Sequence, residues 1–236
     1  MRVISPIGLR NRCHGGGNPI PGITLSLNHL DGLDGATSTT DDISTVIWTL
    51  TGSELDTAQA KFGVSSLLIP AGAGTATAAS LTALNVTGNW TIEMFVRLSN
   101  VTTSSARLRL RNFAASDDVF ALTVNTIGGG DNGILGEVYN SGGSTIISIS
   151  DVVTTINANT WYHIALVKNG TTYSLYFDGN RLGTDTTATA PGSPGNYLFE
   201  NLKDADDAWI DEVRLSQIVR YSGATYTIPT TAFIVD

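Results

Sequence analysis

The sequence predicts an all-β chain folded as a two-sheet antiparallel sandwich, and three observations carry that prediction. Apolar and polar residues alternate in short runs, no window sustains a 3.6-residue period, and turn residues rich in Gly, Asn and Asp separate the runs. The 236 residues include 25 Gly with only 14% charged residues, a composition suited to many short strands and tight turns. That length, with no linker of shifted composition, favours one large sandwich over two small domains.

Residues 1–23 stand apart as an arm, with the sandwich expected over 24–236. The arm holds Gly15-Gly16-Gly17 and Pro19-Ile20-Pro21 and lacks the content to pack alone. It carries Arg2, Arg10 and Arg12 and no acid, together with Val3, Ile4, Ile7 and Leu9, apolar residues for which a solvated tail has little use. A disordered terminus and a docking segment are its two readings.

Thr24 to Leu30 alternates and reads as the first strand; the loop DGLDGATSTTDD follows, with Asp31, Asp34, Asp41 and Asp42. A hard cation such as calcium takes six to eight oxygens, so this loop is either a partial calcium site, with Asp31 and Asp34 its first ligands, or a solvated turn. The loop with Asp204, Asp206 and Asp207 has the same two readings. No cofactor is required.

Val46 to Leu50 and Ser65 to Ile69 are strand-like, and Thr91 to Leu98 alternates with Ile92, Met94, Val96 and Leu98 on the parity expected to be buried. Trp48, Trp90, Trp161 and Trp209, one per region, read as aromatics of the core. From Ser105 to Arg111, Ala106, Leu108 and Leu110 share one parity and Arg107, Arg109 and Arg111 the other. Three guanidinium groups therefore line one face at roughly 7 Å spacing. They form either a docking face for carboxylated or sulfated glycans or an acidic partner, or the charged blunting of an exposed edge strand paired with acids. Val119 to Val124, Gly133 to Tyr139 and Thr145 to Ile149 are further strands.

From Trp161 to Gly183 the chain reads as two strands joined at Asn169-Gly170, residues that accept the positive φ of a primed hairpin turn. Tyr173, Leu175 and Phe177 share one face of the second strand, and Thr172, Ser174 and Tyr176 the face left for water. Asp178-Gly179-Asn180 turns the chain again, so that Arg181 and Leu182 begin a third strand.

A net charge of −8 argues against general nucleic-acid binding, and no segment has membrane-spanning length. Cys13 is the only cysteine, so the chain has no internal disulfide. The first residues, with Pro6 and Arg10, do not make a signal peptide, which points to cytoplasmic synthesis. For catalysis, glycoside hydrolysis needs two carboxylates about 5 to 9.5 Å apart. Asp211 and Glu212 are adjacent, and adjacent strand residues face opposite sides. Glu93 stands alone on its strand, and His14, His29 and His163 are far apart. The expectation is a protein that is not an enzyme.

Four stretches recur together at a recognisable spacing: Lys61-Phe62-Gly63 leading to Ser66-Leu67, Trp90 to Arg97, Trp161 to Gly179, and Ala208 to Ser216. The set resembles laminin-G-like domains of the concanavalin A-like lectin and glucanase superfamily, over roughly Leu25 to Phe233. The closing Arg220-Tyr221, with Pro229 and Phe233, resembles the tail of a subgroup found in bacteriophage structural proteins. The resemblance implies a jelly-roll type sandwich. It also implies a non-catalytic virion structural protein, a capsid decoration or a tail or fibre accessory, homo-oligomeric in the particle. Virion proteins would be contacted through the arm, and host surface glycans by the sandwich. A carbohydrate-binding module of bacterial origin is the alternative, and a glycoside hydrolase the distant one.

Overall fold

The computed structural model describes residues 24–71, 75–78, 84–102, 105–112, 117–124, 133–151, 155–193, 196–200 and 206–236. The arm at 1–23 and Asp204 lie outside the described residues. Among those described there is no helix, and sixteen strands follow one another. The first eight are Thr24–Asn28 (β1), Ser38–Thr40 (β2), Ile47–Thr51 (β3), Glu54–Asp56 (β4), Ser66–Ile69 (β5), Thr75–Ala78 (β6), Trp90–Leu98 (β7) and Ala106–Asn112 (β8). The remainder are Asp117–Val124 (β9), Ile134–Tyr139 (β10), Thr145–Asp151 (β11), Trp161–Asn169 (β12), Thr172–Phe177 (β13), Asn180–Thr186 (β14), Asn196–Glu200 (β15) and Ala208–Ser216 (β16).

Two antiparallel sheets result. The first runs β14-β13-β12-β7-β16-β5-β4, with β1 also on β16; the second runs β11-β10-β9-β8-β15-β6-β3-β2. Their facing sides hold the main core, where Ile92, Met94 and Val96 of β7 and Ile164 and Leu166 of β12 meet Leu108, Phe120 and Leu122. Trp90 packs against Phe120 and Tyr173 at centroid distances of 5.5 and 6.0 Å, and Trp48 stacks on Phe199 at 5.0 Å.

The central hairpin is present, with its turn one residue later than expected. Asn169 pairs with Thr172, so Gly170 and Thr171 form the two-residue loop. Gly170 has φ +61 at the first central position, the requirement of a type II′ turn. At the next corner Asp178 (φ +43) and Gly179 (φ +88) join β13 to β14 with both central residues positive, the type I′ pattern.

Two expectations about exposure change. β8 is no edge strand: it lies between β9 and β15, because the stretch at 196–200 inserts beside it. And the far side of the first sheet is not left to water. Thr91, Glu93 and Phe95 are as buried as Ile92 and Met94, and Tyr176 is buried although its neighbours Thr172 and Ser174 are half-exposed. The segment after β16 folds back over this side, placing Val219, Tyr221, Tyr226, Ile228 and Phe233 on Phe95, Ala165, Val167 and Tyr176. Of the four tryptophans, Trp48 and Trp90 enter the inter-sheet core, whereas Trp161 joins this outer layer. Trp209 sits under the Arg97 guanidinium at 4.7 Å and donates its indole N–H to Asp56.

Candidate functional site

Under the C-terminal segment lies a buried charge cluster centred on Glu93, which is 0% exposed. Its Oε1 accepts Arg214 Nε at 2.9 Å and lies 2.8 Å from Arg214 Nη2; its Oε2 accepts the Tyr221 hydroxyl at 2.5 Å and meets His163 Nε2 at 3.1 Å. His163 Nδ1 is bonded in turn to the Tyr226 hydroxyl. Burial pushes the Glu93 carboxyl up, but the His163 bond, the Arg214 charge and the Tyr221 bond outweigh it and hold the group at about 2. Burial also pushes the Tyr221 and Tyr226 hydroxyls up. The segment is tied at its end by Arg220, which grips Asp236 at 2.7 and 3.0 Å while Asp236 also accepts from Thr24. A carboxylate and an imidazole meet here, but both are sealed from solvent, so the cluster holds the segment down and presents nothing to a substrate.

Asp211 and Glu212 correct the reading that they face opposite sides. The register of β16 against β7 shifts between Asp211 and Arg214, and Glu212 takes φ +52. This bulge leaves Ile210, Val213 and Leu215 in the core and turns both carboxylates outward. Asp211 accepts the backbone N–H groups of Lys61, Phe62 and Glu212; Glu212 accepts that of Phe233 and meets His29 Nδ1 at 2.9 Å. Burial pushes Asp211 up to about 8 against its backbone bonds, and the Glu212 charge adds to the push. The bond to Glu212 raises His29 above its ordinary value, against burial. Both acids are consumed in structural bonds and line no open cleft among the described residues.

Arg107 and Arg109 do share the face opposite Ala106 and Leu108, as the parity predicts; the side chain of Arg111 lies outside the described residues. Arg109 bonds Asp118 at 3.3 Å and Glu200 at 2.6 Å, and Arg107 approaches Asp118 at 4.0 Å. The stripe is therefore interleaved with acids. Asp31 Oδ1 accepts the N–H groups of Val64 and Ser65, and Asp34 accepts both the N–H and hydroxyl of Thr57. Each carboxylate ties its loop to a segment 23 to 34 positions further along the chain, and among the described residues no group of three or more acids, His or Cys stands close enough to hold a metal. The arm residues Arg2, Val3, Ile4, Ile7, Leu9, Arg10 and Arg12 lie outside the described residues.

Open concavities among the described residues lie elsewhere. One of about 170 Å³ is lined by His29, Asp31, Thr39 and Asp42, and one of about 300 Å³ by Tyr162, Phe177, Asp178 and Asn180. A third, of about 270 Å³, opens beside the Gly170–Thr171 turn and is lined by Thr87, Lys168, Tyr173 and the 187–191 loop. Lys168 and Tyr173 are not legible in the sequence as site residues, although Lys168 shares the core-facing parity of Ile164 and Leu166, an unusual place for a cation.

A family model described as the concanavalin A-like lectin/glucanases superfamily matches residues 71–222. The binding domain of botulinum neurotoxin serotype D has a similar structure, with a TM-score of 0.64 at 11% identity, over 84% of this chain and 49% of that one. The globular domain of calreticulin from T. cruzi gives 0.56 at 9% identity over 73% and 85% of the two chains. The carbohydrate recognition domain of Emp46p gives 0.51 at 10%, over 73% and 89%. At such identities these likenesses show a lectin-like sandwich fold, and the chain spans about half the length of the toxin binding domain. No curated protein sequence matches significantly.

Proposed function

We propose that this chain, which belongs to the concanavalin A-like lectin/glucanases superfamily, is a non-catalytic carbohydrate-binding sandwich carried on a bacteriophage particle as a capsid decoration or a tail or fibre accessory. One observation carries the non-catalytic reading. Glu93, Asp211 and Glu212 are buried and engaged in structural bonds, whereas the open concavity beside Gly170 is lined by hydroxyls and a cation. That contrast suits recognition of a polyol more than bond cleavage. The toxin binding domain and the Emp46p recognition domain, by their names, support binding as the common use of this sandwich. The particle setting rests on the Arg220-Tyr221 tail and on a basic, apolar arm preceding an acidic body, with the arm as the contact to virion proteins.

A glycan array spanning neutral and acidic sugars tests the first half: hits are expected, and an array without any would end the carbohydrate reading. The second half is tested by mass spectrometry of purified particles from the phage that encodes the chain, where its absence would remove the virion assignment. Calcium is not required on this reading; if it binds, Asp31 and Asp34 remain its first residues.

A further inference from the structure

Resting on the carbohydrate-binding reading, we infer that the concavity beside the Gly170–Thr171 turn binds a sugar bearing a carboxylate. The Lys168 ammonium would meet the carboxylate, and Tyr173 with the surrounding threonines the hydroxyls. Lys168 ends the core-facing row of β12, after Ile164 and Leu166, and is only 5% exposed. Its Nζ donates to the carbonyls of Thr87 and Gly170 at 2.9 and 2.7 Å. An ammonium has three donors, so one remains. Among the described residues it forms no ion pair, and burial alone pushes its pKa down. A cation withdrawn from water without a counter-charge is unfavourable unless something supplies one.

Tyr173 repeats the pattern. It is 0% exposed, yet among the described residues its hydroxyl has no hydrogen-bond partner. Lys168 Nζ lies 5.7 Å from the centroid of its ring, and both residues line the same concavity. Two buried polar groups left incomplete at one concavity mark a place where a ligand completes the bonding. A single ammonium balances one charge, which favours a carboxylate over a phosphate dianion. The hydroxyls of Thr87, Thr187 and Thr189 suit a sugar's hydroxyls, and Pro191 offers an apolar wall for the ring face. About 270 Å³ is just below the usual range of roughly 300 to 1,000 Å³ for small-molecule pockets, room for one sugar ring.

The test is calorimetric titration of the full chain with galacturonic acid and N-acetylneuraminic acid, against galactose, acetate and inorganic phosphate. At least one acidic sugar is expected to bind about tenfold or more tightly than galactose and than either simple anion. Tyr173→Phe should weaken that binding several-fold with the melting temperature kept. Thr189→Glu, at an exposed rim position, should abolish it by repulsion, and Lys168→Met should also lose it. If Lys168→Met fails to fold, the other two variants decide. Acetate or phosphate binding as tightly as the sugars would overturn the inference, as would acidic-sugar binding indifferent to Tyr173→Phe and Thr189→Glu. An array positive for neutral glycans alone overturns this inference while leaving the carbohydrate reading intact; an array with no hits overturns both.

Discussion

Replacing Glu93 with Gln is expected to destabilise the fold by about 3–5 kcal/mol, the usual cost of removing one partner from a buried ion pair. The volume is kept, so the loss is electrostatic. The Arg214 side chain is 8% exposed and would retain only the Ile234 carbonyl and the face of Phe233, while the Tyr221 hydroxyl and His163 would lose their carboxylate. At about 2–4 °C per kcal/mol for a chain of this length, the melting temperature should fall by about 6–20 °C. The same residue sets an acid limit. Its carboxyl is held at about 2 in the fold against an ordinary value of 4.5, so ionised Glu93 contributes stability that is present above pH 4.5 and declines as the pH falls towards 2. At 1.36 kcal/mol per pH unit the interval corresponds to roughly 3 kcal/mol. Asp236, also held at about 2 by Arg220, acts in the same window, but at 39% exposure its share is reduced by solvent. Urea unfolding followed by tryptophan fluorescence at pH 7 and pH 3 measures both effects. A variant within about 1 kcal/mol of the parent at pH 7, or one that keeps the parent's full acid decline, would refute the reasoning.

Arg220→Ala removes both bonds to Asp236 and the one to Thr24. It should free the C-terminal segment to limited proteolysis while the strands stay protected, and an unchanged cleavage pattern would show that the Tyr221, Tyr226 and Phe233 contacts hold the segment without Arg220. Asp211 is raised from 3.8 to about 8, so its contribution is complete below pH 3.8 and is lost as the pH rises through about 8. Asp211→Asn should flatten the fall in urea midpoint across that range, and a variant as pH-dependent as the parent would contradict this. Excess chelator is expected to leave the melting temperature unchanged, because the carboxylates of Asp31 and Asp34 already accept from the Val64 and Thr57 backbone; a fall would place a stabilising metal in the chain.

Alternation along a strand depends only on the residues of that strand, and so it is legible in the amino-acid sequence by itself. Ile92, Met94, Val96 and Leu98 face inward as expected, Arg107 and Arg109 share the face opposite Leu108, and the hairpin after Trp161 forms, because each strand's period of two is set by its own backbone. Local pattern also misleads by small amounts: Gly170 supplies the positive φ, but cross-strand pairing of Asn169 with Thr172 moves the turn by one residue. The short strands at 38–40, 54–56, 75–78 and 196–200 carry too little alternation to be read, and one of them turns β8 from an edge into an interior strand. What lies over a face is decided by chain far away. Glu93 looks solitary in the sequence because His163, Arg214 and Tyr221 are separated from it by 70, 121 and 128 positions. Asp211 and Glu212 come to share a side because a bulge at φ +52 is held by His29 and by Phe233 arriving with the C-terminal segment. Lys168 is visible in the sequence as a cation on a core-facing row, but only the packed sheets decide that no carboxylate among the described residues pairs with it, since counter-charges are brought by contacts between elements and not by neighbours in the chain.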